Sequence, residues 1–242
     1  MISKAQIKLI TSLHQKKYRT KTGLFLAEGP KLISDLWEAG VELTAIYTTE
    51  HVNYPEDLVH TITALELKKI SALKQANTQL AVFKMPNPTS MPSAGVVLAL
   101  DAVRDPGNLG TIIRLCDWFG VAQLVCSADT VDAYNPKVIQ ATMGSIARVK
   151  VHYTDLSNFL QTWSGTVWGA DMQGSSVYQV QWPQDVVLVM GNEANGLSPE
   201  VRTQLSDTLS IPSHKQVTGA ESLNVAMATS ILLNELRRPT GK

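Results

Sequence analysis

Cysteine is scarce in this sequence. Its 242 residues hold two, Cys116 and Cys126, ten positions apart in apolar segments. They form no CxxC pair, so neither a disulfide framework nor a metal site is expected, and buried thiols in a reducing compartment are the natural reading. Long apolar runs are missing as well. Nothing approaches the ~18 residues of a membrane span, and the N-terminus lacks the apolar core of a signal peptide. A soluble, cytoplasmic protein with no membrane partner is the expectation. Neither sign of charge prevails: Lys plus Arg and Asp plus Glu each number 21, so no global field advertises a polyanionic partner. Two nucleotide-binding signatures are absent too. No G-x-G-x-x-G occurs. Gly191 and Gly196 are spaced as in a phosphate-binding loop, but Leu197 and Ser198 stand where that loop needs Lys and then Ser or Thr. A Walker-type ATPase and a dinucleotide dehydrogenase both lose their main sequence support.

What is present is an apolar content of 44%, enough for a substantial core in one large domain or two of ordinary size. Charge is unevenly spread. Between Met1 and Thr22 stand Lys4, Lys8, Lys16, Lys17, Arg19 and Lys21 with no acidic residue. Such a run is either a solvated helix face or a phosphate-attracting patch. The apolar spacing predicts a short helix over Ser3–Leu13, a basic loop over Lys16–Gly23 containing Tyr18, and a strand at Leu24–Ala27. A helix from Gly29-Pro30 to Ala39, a strand at Thr44–Thr48, a helix at Leu65–Leu73 and a strand at Leu80–Phe83 follow. This is a small α/β domain over residues 1–84. The stretch MPNPTSMPSAG, residues 85–95, has the composition of an extended linker.

Residues 96–242 change to strands alternating with helices. Strands are expected at Val96–Leu100, Gln123–Cys126, Val167–Ala170, from Val186 and at Thr208–Ile211. Helices are expected at Asn108–Phe119, Pro136–Met143, Asp155–Trp163, from Pro199 and at the C-terminus. The alternation describes an α/β domain with a mostly parallel sheet and helices on both faces. Polar loops leave the buried strand ends, and in such sheets these are the places that hold ligands.

Three segments carry candidate chemistry. After the first strand comes DPGNLGTIIR, with Asn108 expected as helix N-cap and the helix start as a place for phosphate. Arg114 lies farther along that helix, where the plain structural reading pairs it with Asp117. The second segment, GNEANGL from Gly191, supplies backbone groups able to hydrogen-bond a small polar ligand. The third, Glu221-Ser222-Leu223-Asn224, opens the last helix, with Ser222 expected to cap it and Asn224 in its first turn.

Taken in order, D-P-G-N-L-G-x-I-I-R, G-N-E-x-x-G-L and I-P…E-S-L-N-V-A resemble the three signature motifs of the SpoU (TrmH-like) RNA ribose 2′-O-methyltransferases of the SPOUT superfamily. The likeness covers about Val96 to Arg238. Ala226 departs from the Ser common at its position, a small-for-small change. The segment F-L-A-E-G-P-K-L-I resembles the accessory RNA-binding domain of the ribosomal-RNA members, similar in fold to a kink-turn-binding ribosomal protein. The resemblance implies a C-terminal trefoil knot, which general topology rules disfavour, and a homodimer; the latter agrees with a last helix apolar on nearly all sides. It implies S-adenosyl-L-methionine as cofactor, held by backbone around Met190, Gly191, Asn192, Gly196, Ile211, Pro212 and Leu223. Its expected activity is methyl transfer to a ribose 2′-hydroxyl, in 23S-type ribosomal RNA, with transfer RNA or a non-catalytic docking role as alternatives. The resemblance sets Arg114 against the target hydroxyl and adjoining phosphate as base. A guanidinium is effectively always protonated, so the chemistry favours a phosphate-binding, charge-stabilising role for Arg114. Asn108 and Asn224 would orient the nucleotide, Ser222 would support them, and Glu193 would brace the loops. Lys4, Lys8, Lys16, Lys17, Arg19 and Lys21 are the expected phosphate-contacting surface, with Tyr18 free to stack on a base.

Overall fold

The computed structural model describes residues 2–87, 90–214 and 222–238. The chain runs α1 (Lys4–Ser12), α2 (Lys16–Thr22), β1 (Leu24–Glu28), α3 (Pro30–Glu38), β2 (Leu43–Thr48), β3 (Val59–Thr61), α4 (Ala64–Ile70) and β4 (Gln79–Lys84). It continues through β5 (Val96–Leu100), α5 (Pro106–Trp118), β6 (Gln123–Ser127), α6 (Pro136–Thr142), β7 (Lys150–Thr154) and α7 (Leu156–Thr162). Then come β8 (Thr166–Ser176), β9 (Val186–Met190), α8 (Pro199–Arg202), β10 (Asp207–Ser210) and α9 (Val225–Arg237). Two units result: Met1–Pro88 with Asp132–Ala147, and Thr89–Val131 with Arg148–Lys242.

In the first unit the strands order as β1-β4-β2-β3. β4 is antiparallel to β1 and β2, while β3 is parallel to β2. Capping boxes start two of its helices: Ser3 with Gln6 opens α1, and Thr63 with Glu66 opens α4, each satisfying two otherwise unpaired helix donors. The basic stretch read as a loop is instead the helix α2, ended by Gly23 in the left-handed conformation at φ 66°. Its sequence, KKYRTKT, shows no apolar period because its one buried side chain is Arg19. Residues 132–147, expected to belong with the sheet around them in sequence, pack in the first unit. There α6 lies against β1, and the rings of Phe25 and Tyr134 approach to 5.1 Å. An apolar helix face reveals that it needs a partner, not which sheet will supply one.

In the second unit six strands, ordered β10-β8-β9-β5-β6-β7, run parallel. Val97, Ala99, Val125, Val187 and Val189 turn one way, into a cluster with Phe159, Leu160 and Trp163 of the α7 region and Val201 of α8. The alternate residues Leu98, Leu100, Leu124 and Leu188 face the other way and are equally buried. Covering both faces explains why VVLAL and VVLVM read as unbroken apolar runs. The short β7 escapes that pattern, since KVHYT at the sheet edge is only partly buried. Among the described residues no helix is long and apolar enough to cross a membrane.

Candidate active site

Strand β5 pairs with β9 in register, from Val96 with Val186 to Leu100 with Met190. The chain leaves β5 toward β6 and β7 on one side, while β8 and β10 lie on the other. The C-terminal ends of β5 and β9 therefore flank the point where strand order reverses, where parallel sheets open a crevice. The loops after these two strands carry the first and second motif segments.

Local backbone chemistry shapes the loop after β5. Asp101 is buried and accepts from the Ser198 amide at 2.6 Å. Ala102 holds the left-handed conformation at φ 58°, uncommon for a residue with a Cβ. Its amide donates to Ser127 Oγ at 2.9 Å and its carbonyl accepts from Asn192 Nδ2 at 2.6 Å. The N-cap of α5 is Asp105, whose Oδ1 accepts from the Asn108 amide at 2.8 Å; Asn108, expected as the cap, lies one turn inside. Pro106 takes the first helical position, where no amide is needed.

Asn108 is thereby free to bridge. Its Nδ2 donates to Glu193 Oε1 at 2.9 Å, and its Oδ1 accepts from Asn224 Nδ2 at 2.9 Å. Glu193 also accepts from the amides of Asp105 (3.2 Å) and Arg104 (3.3 Å). Two carboxylates, Asp105 and Glu193, thus occupy the start of α5, and the expectation of a phosphate there is corrected. Partial burial pushes the Glu193 carboxyl upward, but hydrogen bonds from Asn108 and the neighbouring amides outweigh it and hold the group below its ordinary pKa. Asn224, rather than Ser222, caps α9: its Oδ1 accepts from the amides of Ala226 (2.9 Å) and Met227 (3.3 Å). One asparagine ties the first motif to the second and third.

The glycine loop closes on itself. Asn192 and Gly196 exchange backbone hydrogen bonds of 2.9 and 3.0 Å, and Asn192 Oδ1 accepts from the amides of Ala194 and Asn195, each at 3.0 Å. A Cβ on Gly191 would lie 2.4 Å from the Gly196 carbonyl carbon, so only glycine permits that crossing. Met190 ends β9, buried; Gly191 and Asn192 are half-buried and Gly196 is exposed. Ile211 and Pro212, half-buried, follow β10, and exposed Ser222 and Leu223 precede the Asn224 cap. Because β9, β8 and β10 run parallel, these positions share one edge of the sheet. Glu221 lies outside the described residues.

Arg114 is not drawn into this network. It stands exposed on α5 in a cleft with Thr111, Leu115, Trp118, Phe119 and Ser230. Its expected partner Asp117 is held by Arg148, Nη2 to Oδ2 at 2.6 Å, and among the described residues no carboxylate pairs with Arg114. Six residues separate Arg114 from Asn108, a rise of about 9 Å along a helix. In the first unit Lys4, Lys8, Lys16, Lys17, Tyr18 and Lys21 are exposed. Arg19 is not. It is 2% exposed, its Nη2 lies 2.5 Å from Asp132 Oδ2, and its Nη1 donates to the Leu13 carbonyl at 2.8 Å. A guanidinium so enclosed cannot reach RNA phosphate, which removes Arg19 from the expected contact surface.

Sequence reading missed Asp101, Ala102 and the capping role of Asp105, strands β3 and β7, and the true length of β8. The pairing of β8 with β10 jumps from Gly169–Thr208 to Ser175–Leu209, and a Cβ on Gly174 would meet the Thr208 carbonyl oxygen at 2.5 Å. The glycine inside an otherwise polar strand continuation, GADMQGSS, was the available signal.

Residues 95–234 match the model of the SpoU rRNA Methylase family, and residues 4–81 that of an MRM3-like substrate binding domain. A 23S rRNA (guanosine(2553)-2′-O)-methyltransferase, RlmP of Bacillus subtilis, is 34% identical over 234 residues, covering 93% of each chain. A TrmH-family structure from Porphyromonas gingivalis superposes with a TM-score of 0.90 at 36% identity, over 98% of this chain and 99% of that one. An AdoMet-bound rRNA methyltransferase from Sinorhizobium meliloti superposes with a TM-score of 0.85 at 29% identity, over 100% of this chain and 98% of that one. Motifs, fold and all three comparisons agree, and the chain belongs to the SpoU rRNA methylase family.

Proposed function

We propose that this protein transfers a methyl group from S-adenosyl-L-methionine to a ribose 2′-hydroxyl of 23S ribosomal RNA. The observation that carries the reading is the amide relay Asn224–Asn108–Glu193, which joins the three motif segments at the strand-order reversal. The named activity of the B. subtilis relative, matched along nearly its whole length, supports the same reaction.

The residues fit the cofactor. Met190, Gly191, Asn192, Gly196, Ile211, Pro212 and Leu223 bring backbone amides and carbonyls and no charged side chain, a donor set suited to an adenine edge. Position 191 is restricted to glycine by the crossing Gly196–Leu197 backbone, so it carries no side chain. Bound S-adenosyl-L-methionine supplies an electrophilic methyl group on sulfur. Positioning the poor ribose nucleophile in line with it is the protein's task. Asn108 and Asn224 orient the nucleotide and Glu193 holds Asn108 from behind, acting as a brace. Arg114, permanently protonated and without a carboxylate partner among the described residues, binds phosphate and stabilises charge developing on the ribose oxygen.

Three further features belong to this reading: a cytoplasmic homodimer, a C-terminal trefoil knot and RNA docking by the first unit. Trp118 and Met227 are 83% and 59% exposed on adjoining helices α5 and α9, an apolar face that a second copy would bury. Likeness to SpoU structures supports the knot. Lys4, Lys8, Lys16, Lys17, Lys21 and Tyr18, on an MRM3-like substrate binding domain with a kink-turn-binding type of fold, form the RNA-facing surface. The deciding experiment maps ribose methylation in ribosomal RNA from cells with and without the protein. Loss of one or a few 23S sites is expected, restored by wild type and not by Arg114→Ala. An unchanged 23S methylation map overturns the assignment.

A further inference from the structure

The mouth of the site is acidic. Asp105 and Glu193 occupy the start of α5, and Asp129, on the loop after the neighbouring strand β6, lies within reach of the Arg104 side chain. A polyanion approaching the Asn108–Asn224 pair therefore meets three carboxylates, and helix amides that elsewhere attract phosphate are already engaged. One cation stands among them. Arg104 directly precedes the Asp105 cap, and its amide belongs to the Glu193 cluster while its side chain turns outward, 70% exposed.

Arg104 is held in a particular way. Its Nη2 lies 3.5 Å from Asp129 Oδ2, and Asp129 is itself 56% exposed. Asp129 does not depend on Arg104 for its place, since Ser127 Oγ donates to its Oδ1 at 2.7 Å and also accepts from the Ala102 amide. The Ser127 hydrogen bond, aided by a backbone amide and then by Arg104, outweighs partial burial and keeps the Asp129 carboxyl below its ordinary pKa. A long, solvated ion pair of this kind is weak. A phosphate offering a bidentate, charge-assisted contact competes with it well.

We propose that Arg104 is a substrate-binding residue that takes an RNA backbone phosphate at the mouth of the site, with Asp129 as the carboxylate it exchanges for that phosphate. Arg104 is then poised near the crevice in the free protein and released toward RNA on binding. This inference rests on the RNA-methylation reading above, and its test separates the two. Unmodified, in vitro transcribed 23S ribosomal RNA is the probe, with methyl transfer from tritiated S-adenosyl-L-methionine and filter binding across a NaCl series as readouts. Arg104→Gln should raise KM for RNA about tenfold, leave kcat near wild type and lower the slope of log K against log salt by about one. Arg104→Lys should keep the slope, because the charge remains. Asp129→Asn should tighten binding about threefold by removing the competing carboxylate. An Arg104→Gln protein with wild-type KM and salt slope overturns the proposal. If wild type binds the transcript but transfers no methyl, the methylation reading fails instead, and the salt slopes still decide the role of Arg104.

Discussion

At the scale of single residues the site depends on one amide. Asn108 accepts from Asn224 and donates to Glu193, using both ends of a side chain that cannot ionise. Asn108→Ala breaks both bonds and leaves the three loops without a common strut. Methyl transfer should fall by about a hundredfold, the usual cost of small misplacement, with little change in melting temperature. A steady-state assay beside a thermal melt separates the two effects. Glu193 carries a pH signature. Its pKa is depressed in the folded protein, so its stabilising contribution is present above the unfolded value of about 4.3 and is lost as pH falls through the lower folded value. The difference in melting temperature between wild type and Glu193→Gln should accordingly shrink as pH drops from 6 toward 3. A difference independent of pH counts against the brace.

Elements explain why these residues meet. β5 and β9 are neighbours in register, so loops about ninety residues apart in sequence leave the sheet side by side. Two backbone positions then set the loop paths. Gly191→Ala forces a Cβ against the Gly196 carbonyl, backbone against backbone, and should abolish S-adenosyl-L-methionine binding in calorimetry while the sheet stays folded. Ala102 is less restricted. At φ 58° a glycine relieves the left-handed strain but loosens the unfolded chain, so Ala102→Gly should be near neutral. Ala102→Val, β-branched, should cost about 1–2 kcal/mol in chemical denaturation. The helix caps were only half legible. Asp105, Asn108, Ser222 and Asn224 all have cap-forming side chains; Asp105 and Asn224 take the caps, and Asn224 still bonds Asn108 through its amide nitrogen.

At the scale of the molecule, the buried pair Arg19–Asp132 joins residues 113 positions apart within the first unit. Asp132→Ala would strand a guanidinium that is 2% exposed and should destabilise by about 3–5 kcal/mol, whereas the double variant Arg19→Met, Asp132→Ala should recover much of that loss. Urea denaturation of the three proteins measures it. The other large-scale expectation concerns α5 and α9. If a second copy covers their exposed apolar face, Trp118→Glu should shift the protein to monomer in light scattering and lower activity together with it.

Residue order alone was enough for the buried strands, most of the helices, the parallel sheet and the three motif segments, because burial on both faces and polar turns at strand ends leave direct marks in it; α2, β3 and β7, short or partly exposed, leave no such mark. It also carried the charge cluster near the N-terminus. Long-range packing was needed to show that Arg19 belongs to the core, that residues 132–147 pack with the first unit, and that carboxylates rather than phosphate fill the start of α5. Each of those outcomes depends on which distant group arrives at a given side chain. Composition and periodicity describe what a residue needs; the fold determines which neighbour meets that need.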